Sequence, residues 1–539
     1  MHRSFILLLI AAALIGSSFW WRDKPSQPGA GPVAPAAVSV APPAVSSAEN
    51  PPPEPESQPE PQSAEPAAPA PSTPEKEPLA APAGGPLAHL QSVVETLAQA
   101  PAVATGTVGF YLADAAAPGQ PLAAHNARQS FITASTIKTI TTGAALELLG
   151  PDFQFATPLL CDEATGDLII KGAGDPSLAR GGWDGLFAEW LAALRAAGLA
   201  EVRGRVVADE SAWESQDIPD GWVWLDIGNY YAPPLTPLTF HDNEFRVYFK
   251  LAGAPGDPAG FTKAEPWPDG LQFTDEVKIG APGTGDNAYV FGTPGAARYV
   301  LRGTLAADAG KEYIRAALPD PALFAAQRFT QFLQQNGLPV KGAPDTTRRL
   351  AAGGALPDHA SARTLATHHS APLRELLAPI NHKSLNLDCE CLLRVLGEGR
   401  AAAGLGRIRG HLAAKGLPLA GFEQTDGSGL SRTNMITPEL LARANGAVLD
   451  GPQGGIFLAS LPILGARGST LRSLGGLSGG AVIHAKSGTI ERVKGYTGRV
   501  DAADGRRYIF AVLVNNYDGS YSRDVQPHMA ALFEALGNL

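Results

Sequence analysis

Cysteine is nearly missing from this chain: Cys161, Cys389 and Cys391 are the only three in 539 residues. An odd number leaves at least one thiol unpaired, and no spacing among them suits a metal site. Cys389 and Cys391 lie two apart on an expected helix and would point away from each other. Cys161 either bridges to one of them or all three stay as buried thiols. Basic runs are missing as well. The net charge is −10, and the part of the chain that can fold is only mildly acidic, which argues against a nucleic-acid partner. No internal repeat is present. The Gly-x-Gly of GAGDP (172–176) has no helix after it, so it reads as a turn and not as a phosphate loop.

From Pro25 to Pro86 there is no aromatic residue at all. This stretch is almost wholly Pro, Ala, Ser and Glu, and it cannot bury enough apolar surface to offset the entropy of ordering. Its seven glutamates and one lysine supply six of the ten net negative charges. Proline stiffens it toward polyproline II, so at about 3.1 Å per residue it would reach roughly 200 Å. It is a tether. Ahead of it, residues 5–21, FILLLIAAALIGSSFWW, form a short apolar run between Arg3 and Arg22. The run fits a secretory signal or an uncleaved signal anchor. It shows no small-x-small cleavage site and no cysteine for lipid attachment, and Trp20 and Trp21 suit a membrane interface, which favours an anchor. Any membrane contact is expected through this segment alone.

Past the tether, LAHLQSVVETLAQ (88–100) has helical spacing, and TVGFYLAD (107–114) and 121–125 read as strands around the turn signal Pro118-Gly119. A mostly buried helix is expected to open near Ser135 and to end at Gly150-Pro151. At the other end of the chain, 479–489, 493–500 and 506–516 read as three strands, the last two joined by the Ala-Asp-Gly turn at 503–505. RYIFAVLV is apolar on both faces, so that strand should be central and covered by helices. A helix over 525–537 closes the chain. The simplest assembly is α+β: one antiparallel sheet built from both chain ends, with helices packed on it and a helical subdomain. The middle must then be an excursion. Residues 158–313 are rich in Gly, Pro, Asp and aromatics, with strand-like pieces and little helical pattern outside 183–198. They are expected to form one or two mainly β inserted domains, divided at about 240. Residues 87–157 and 314–539 are assigned to the main domain, including the helical pattern at 319–337.

Three short stretches carry the chemistry: Ser135-Thr-Ile-Lys138, Ser384-Leu-Asn386 and Lys486-Ser-Gly-Thr489. Two polar groups one turn apart on the inner face of a helix, as Ser135 and Lys138 are, need partners or a job. A serine hydroxyl is a weak nucleophile until a base takes its proton. A lysine serves as that base only as the neutral amine, which burial and a neighbouring cation both favour. Each stretch alone is a weak signal, since Ser-x-x-Lys occurs by chance in most long chains. Their order, with placement at a helix start, a helix start and a strand, is the pattern expected of penicillin-recognising serine acyl-transferases.

The likeness extends further, through KGAGDPSL (171–178), DGWVWLDIGNYYAPP (220–234), LATHHSAPLRELLAPINHKSLN (365–386), DGSGLSRTNMITPELL (426–441), SLPILGARGSTLRS (460–473) and AKSGTIERVKGYTGRV (485–500). From about residue 88 to its end the chain resembles a low-molecular-mass class C penicillin-binding protein of the D-alanyl-D-alanine carboxypeptidase/endopeptidase family. That resemblance implies the transpeptidase/β-lactamase-like fold, with large insertions. It implies Ser135 as nucleophile, Lys138 as general base, Ser384 as proton relay to the leaving D-alanine nitrogen, and Asn386 as holder of the substrate amide and of Lys138. Lys486, Ser487 and Thr489 would receive the terminal carboxylate, with Lys486 also the cation beside Lys138 and the Thr489 N–H an oxyanion donor beside that of Ser135. Asp226 matches the acidic residue that reads a free amine on the diamino-acid side chain. The implied partners are peptidoglycan peptides and acylating β-lactams, in the periplasm, with no cofactor and no metal. Three positions depart from the family: Leu385 stands where Asp is usual, Ser487 where Thr is usual and Cys389 where Ala is usual. None removes a group that the chemistry requires.

Plainer readings compete at single residues. Ser135 also suits an N-cap, Asp226 a turn beside Gly228-Asn229, and Asp426 a turn near the cleft. His368-His369 have no third ligand in sight and read as a strand pair. At the level of function, the rivals are a β-lactamase, for which no Glu-x-x-x-Asn water-activating loop is seen, and a silent wall-binding scaffold, which would not need both lysines and the serine.

Overall fold

The computed structural model describes residues 85–356, 358–465, 474 and 477–539. The apolar run at 5–21, the tether up to residue 84 and residues 466–473 of the SLPILGARGSTLRS stretch lie outside the described residues. Helix α1 (Pro86–Ala98) starts on a proline and buries Leu90, Val94 and Leu97, one stripe at helical spacing. Strands β1 (Thr107–Asp114) and β2 (Pro121–His125) follow, and then the short β3 (Phe131–Ile132). One 3-10 turn, Ala134–Ile137, leads into α2 (Lys138–Leu149). The buried threonines Thr136, Thr139 and Thr142 fold their hydroxyls back onto the carbonyls of Thr133, Thr136 and Lys138. That local bonding lets a threonine-rich helix lie in the interior without stranded donors. Gly150, at φ +87°, ends it.

The chain then leaves on an excursion: β4 (Ala156–Cys161), β5 (Leu168–Lys171), α3 (Asp184–Ala196), β6 (Val206–Asp209), β7 (Glu244–Lys250), β8 (Gly260–Glu265), β9 (Gln272–Gly280), β10 (Asp286–Phe291), β11 (Arg298–Ala306), β12 (Tyr313–Ala317), α4 (Pro321–Gln335), β13 (Asp345–Thr346), α5 (Thr347–Ala352) and β14 (Arg363–His369). Two three-stranded sheets, β12-β7-β8 and β10-β11-β9, form the purely β part. The rest is a mixed five-stranded sheet, β13-β6-β5-β4-β14, with α3 and α4 laid together beside it. Phe187 and Trp190 of α3 meet Phe329 of α4 at 4.9 and 5.2 Å between ring centroids.

The exit strand β14 lies antiparallel on the entry strand β4, His369 opposite Ala156, and helices α3, α4 and α5 fall between them in the chain. One hydrophobic core runs continuously from Leu159 to Val340 and takes in Ala322, Phe324 and Leu333 of α4.

The remaining elements are α6 (Leu373–Lys383), α7 (Asn386–Leu396), α8 (Ala401–Ala414), β15 (Met435–Ile436), α9 (Pro438–Leu449), α10 (Gly454–Ala459), β16 (Val482–Ile490), β17 (Val493–Asp501), β18 (Arg507–Asn515) and α11 (Gln526–Gly537). The main sheet has the order β16-β17-β18-β1-β2, antiparallel throughout. Both chain ends therefore build it, and β18 is central as its apolar pattern requires. Alternate side chains of β18 enter two cores: Ile509, Ala511 and Leu513 join α2, α7 and α9 on one face, and Tyr508, Phe510, Val512 and Val514 join α1 and α11 on the other. All three cysteines are free and buried, which removes the expected alternative of a bridge from Cys161.

Candidate active site

The 3-10 turn before α2 lifts Ser135 to the edge of the main sheet. Ala134 adopts φ +44°, a left-handed backbone that an alanine rarely takes. Gly429 is packed against its carbonyl so closely that a β-carbon there would overlap it. Strand β16 presses in from the other side. A β-carbon at Gly488 would lie 2.7 Å from the Thr136 nitrogen and 2.9 Å from the Ser135 nitrogen. Only glycine lets the strand approach the Ser135 N–H this closely.

Lys138, 0% exposed, is held on three sides. Its Nζ lies 3.0 Å from Ser135 Oγ, 2.5 Å from Asn386 Oδ1 and 2.6 Å from the Ser428 carbonyl oxygen. Asn386, the first residue of α7, donates its amide N–H to the Tyr231 carbonyl at 2.8 Å. Lys486, on β16 and 1% exposed, donates to Ser384 Oγ at 3.0 Å and to the Ser487 carbonyl at 2.7 Å. Ser384 does not open a helix as expected. It caps α6 in the left-handed region at φ 58°, ψ 43°, and the following Leu385 is the N-cap of α7. The sharp turn between two helices brings the hydroxyl of Ser384 and the amide of Asn386 to separate lysines. A chain of contacts thus joins all three stretches.

Ser487 is nearly buried, and Thr489 accepts from Lys494 Nζ at 2.5 Å. The Lys494 amine also lies 5.3 and 4.9 Å from the ring centroids of Tyr496 and Tyr521. Asp226 stands one residue removed: it accepts from the Tyr231 hydroxyl at 3.2 Å, and Tyr231 is the residue whose carbonyl meets Asn386. Burial pushes the Asp226 carboxyl up, opposed by the Tyr231 hydrogen bond and the charge of Arg432, while Glu491 adds to the rise. Burial likewise pushes the Tyr231 hydroxyl far up.

Other residues at the site carry no motif. The Ser428 carbonyl is a backbone group and leaves no mark in a sequence. Asp426 shapes its turn as expected, accepting from the N–H groups of Gly429 and Ser431 at 2.7 Å each and from the Trp222 indole at 3.0 Å. Glu390, 0% exposed, accepts from the N–H groups of Gly427 and Ser428 at 3.0 and 2.9 Å. Burial pushes its carboxyl up to about 7, with the charge of Asp426 adding to the rise. Asp426 is already expected as a turn former, whereas the signal for Glu390 is a lone acid in the otherwise apolar run CECLL. Arg180, from the excursion, bonds both oxygens of Asp388 on α7 at 3.1 and 3.0 Å and Asp242 at 2.6 Å. His368 and His369 lie on β14, His368 Nδ1 being 4.0 Å from Glu189. Among the described residues no group of three His, Cys, Asp or Glu side chains is placed to hold a metal. No helix of the described residues is long and apolar enough to cross a membrane.

A model of the D-Ala-D-Ala carboxypeptidase 3 (S13) family matches residues 90–536. The D-alanyl-D-alanine carboxypeptidase of Actinomadura sp. (strain R39) is 29% identical over 475 residues, covering 84% of this chain and 86% of that protein. The D-alanyl-D-alanine carboxypeptidase DacB of Haemophilus influenzae is 27% identical over 417 residues, 74% of this chain and 83% of that one. The crystal structure of penicillin binding protein 4 from Haemophilus influenzae superposes with a TM-score of 0.68 at 23% identity, over 82% of this chain and 97% of that one.

Proposed function

The chain belongs to the D-Ala-D-Ala carboxypeptidase 3 (S13) family and is a serine-type D-Ala-D-Ala carboxypeptidase, and we propose that it works through an acyl-enzyme on Ser135. The observation that carries this is the 3.0 Å approach of Lys138 Nζ to Ser135 Oγ, with Asn386 Oδ1 and the Ser428 carbonyl on its other sides. A neutral amine has two N–H bonds and one lone pair. With the N–H bonds given to Asn386 and Ser428, the lone pair is turned to the serine hydroxyl. Lys138 then takes the proton as Ser135 Oγ attacks the carbonyl of the penultimate D-alanine. The oxyanion forms beside the N–H groups of Ser135 and Thr489, which the close approach at Gly488 supports.

Collapse of the tetrahedral species breaks the peptide bond, and Ser384, itself bonded to Lys486, relays to the departing D-alanine nitrogen the proton that Lys138 took from Ser135, which returns Lys138 to its neutral form. Water then hydrolyses the ester and frees Ser135. Lys486, Ser487 and Thr489 receive the terminal carboxylate, and the edge strand β16 pairs with the extended peptide. Asp226 reads a free side-chain amine on the stem peptide. Cross-bridge cleavage follows from the same chemistry when the amine that leaves belongs to a neighbouring strand. The enzyme acts in the periplasm, anchored by residues 5–21 and reaching the wall on its tether. Residues 87–155 and 370–539 make the catalytic unit, and 156–369 the accessory one.

β-Lactams would acylate the same serine, and a crystal structure of the Haemophilus penicillin binding protein 4 with a β-lactam, at a TM-score of 0.64, supports this. Mass spectrometry after brief exposure to penicillin tests the reading. A lasting adduct on Ser135, absent in Ser135→Ala together with D-alanine release, is expected. Unchanged labelling of Ser135→Ala would overturn the nucleophile, and rapid turnover of the drug would favour a β-lactamase.

A further inference from the structure

Asn386 and Glu390 are one turn apart on α7 and so face the same way. Asn386 reaches Lys138 directly at 2.5 Å. Glu390 reaches it at one remove, through the turn at 426–431. Both Glu390 oxygens accept from the Gly427 N–H, at 3.0 and 3.1 Å, and one of them also accepts from the Ser428 N–H at 2.9 Å. Those bonds fix the two peptide planes that flank Gly427; the next plane, whose Gly429 N–H donates to Asp426 Oδ1 at 2.7 Å, carries the Ser428 carbonyl that accepts from Lys138 at 2.6 Å. Gly427 and Gly429 have no room for side chains of their own here. A β-carbon on Gly427 would lie 2.5 Å from the Cys389 carbonyl, and Gly429 sits at φ +84° against Ala134.

A buried acid is a costly way to hold two N–H groups. An amide in its place offers one oxygen, and its NH2 would face a backbone donor. The carboxyl is spent on the register of Ser428.

We propose that Glu390 is a positioning residue for acylation: it holds the 426–431 turn so that the Ser428 carbonyl orients the Lys138 amine toward Ser135. This deepens the acyl-enzyme reading and rests on Lys138 as base. The turn is tied from a third direction by Thr141 of α2, whose hydroxyl donates to the Gly427 carbonyl at 2.7 Å. That gives an independent handle which leaves the charge untouched.

The test measures the acylation rate of the full chain by benzylpenicillin at a series of drug concentrations, in the parent, Glu390→Gln and Thr141→Val. Misplacing the amine by a fraction of an ångström should lower the rate at saturating drug by about 10- to 100-fold in Glu390→Gln and about 3- to 10-fold in Thr141→Val. The half-saturating concentration should stay within about twofold of the parent, because the carboxylate site is untouched. A merely structural role would weaken both quantities together. Saturating rates within about twofold of the parent in the folded variants, or a loss confined to half-saturation, would overturn the proposal. Should Glu390→Gln not fold, Thr141→Val alone decides by the same criteria. Absence of a Ser135 adduct in the parent would instead overturn the acyl-enzyme reading itself.

Discussion

Arg180→Ala removes a cation from a site where its partner has nowhere to go. Asp388 has a side chain 1% exposed, and its two oxygens rest on Arg180 Nη2 at 3.0 and 3.1 Å. The second arm, to Asp242, joins groups that are a quarter and a third exposed, so it contributes under about 1 kcal/mol. The Asp388 arm decides the outcome. Taking one partner from a buried pair leaves an uncompensated charge and costs about 3–5 kcal/mol. Replacing both partners, as in Arg180→Leu with Asp388→Leu, should restore most of that, giving a coupling energy of about 2–3 kcal/mol.

The pH dependence of Arg180→Ala has a definite sign. Burial already raises the Asp388 carboxyl, and Arg180 opposes the rise. Without Arg180 the folded-state value climbs further, so the folded variant holds a proton that the unfolded chain releases. The deficit of Arg180→Ala should therefore be larger at pH 8 than at pH 5. Urea unfolding of the full chain, followed by tryptophan fluorescence at both pH values, measures it. Because Asp388 lies two residues past Asn386, penicillin labelling should slow in the same variant. A loss under about 1 kcal/mol, or a double variant whose cost is the sum of the single ones, would refute the clamp.

Other variants probe separate parts of the molecule. Gly488→Ala should cut acylation by at least about 10-fold, read by penicillin labelling, since its β-carbon would strike the Ser135 and Thr136 nitrogens. Asp226→Ala should slow release of D-alanine from peptides with a free side-chain amine more than from simple acyl-D-Ala-D-Ala compounds, and equal effects would remove its proposed role. Burial pushes Glu210 up to about 7. Its contribution to stability is then full below the ordinary glutamate range and is lost as the pH rises through about 7. Glu210→Gln should accordingly raise the melting temperature relative to the parent more at pH 8 than at pH 5. An equal difference at the two values would contradict the shift.

The main sheet was legible because its signals are local. RYIFAVLV is apolar on both faces, and β18 is buried at every position from Tyr508 to Asn515. The pairing of β14 with β4 was not legible, because β14 carries only half-buried and exposed side chains and its partner lies two hundred residues earlier. The amphipathic α4 showed its buried stripe but not which core that stripe would enter. At the site, Ser135, Lys138, Asn386 and Lys486 stood out as residue types at telling spacings. The Ser428 carbonyl could not, since backbone acceptors are the same in every residue. Ser384 misled for a related reason: Ser-x-Asn reads as a helix start, whereas the left-handed cap at Ser384 is set by how α6 and α7 meet.

The register of β1 against β18, Thr107 opposite Asn515, has a consequence for biosynthesis. Ribosomes emit Ser135 and Lys138, the proposed nucleophile and base, well before Lys486, with residues 156–369 made in between. A half-finished polypeptide thus carries an idle serine, because neither the second cation nor the strand that crowds its amide yet exists. On the proposed mechanism, hydrolytic competence waits for β16, β17 and β18 to pair beside β1.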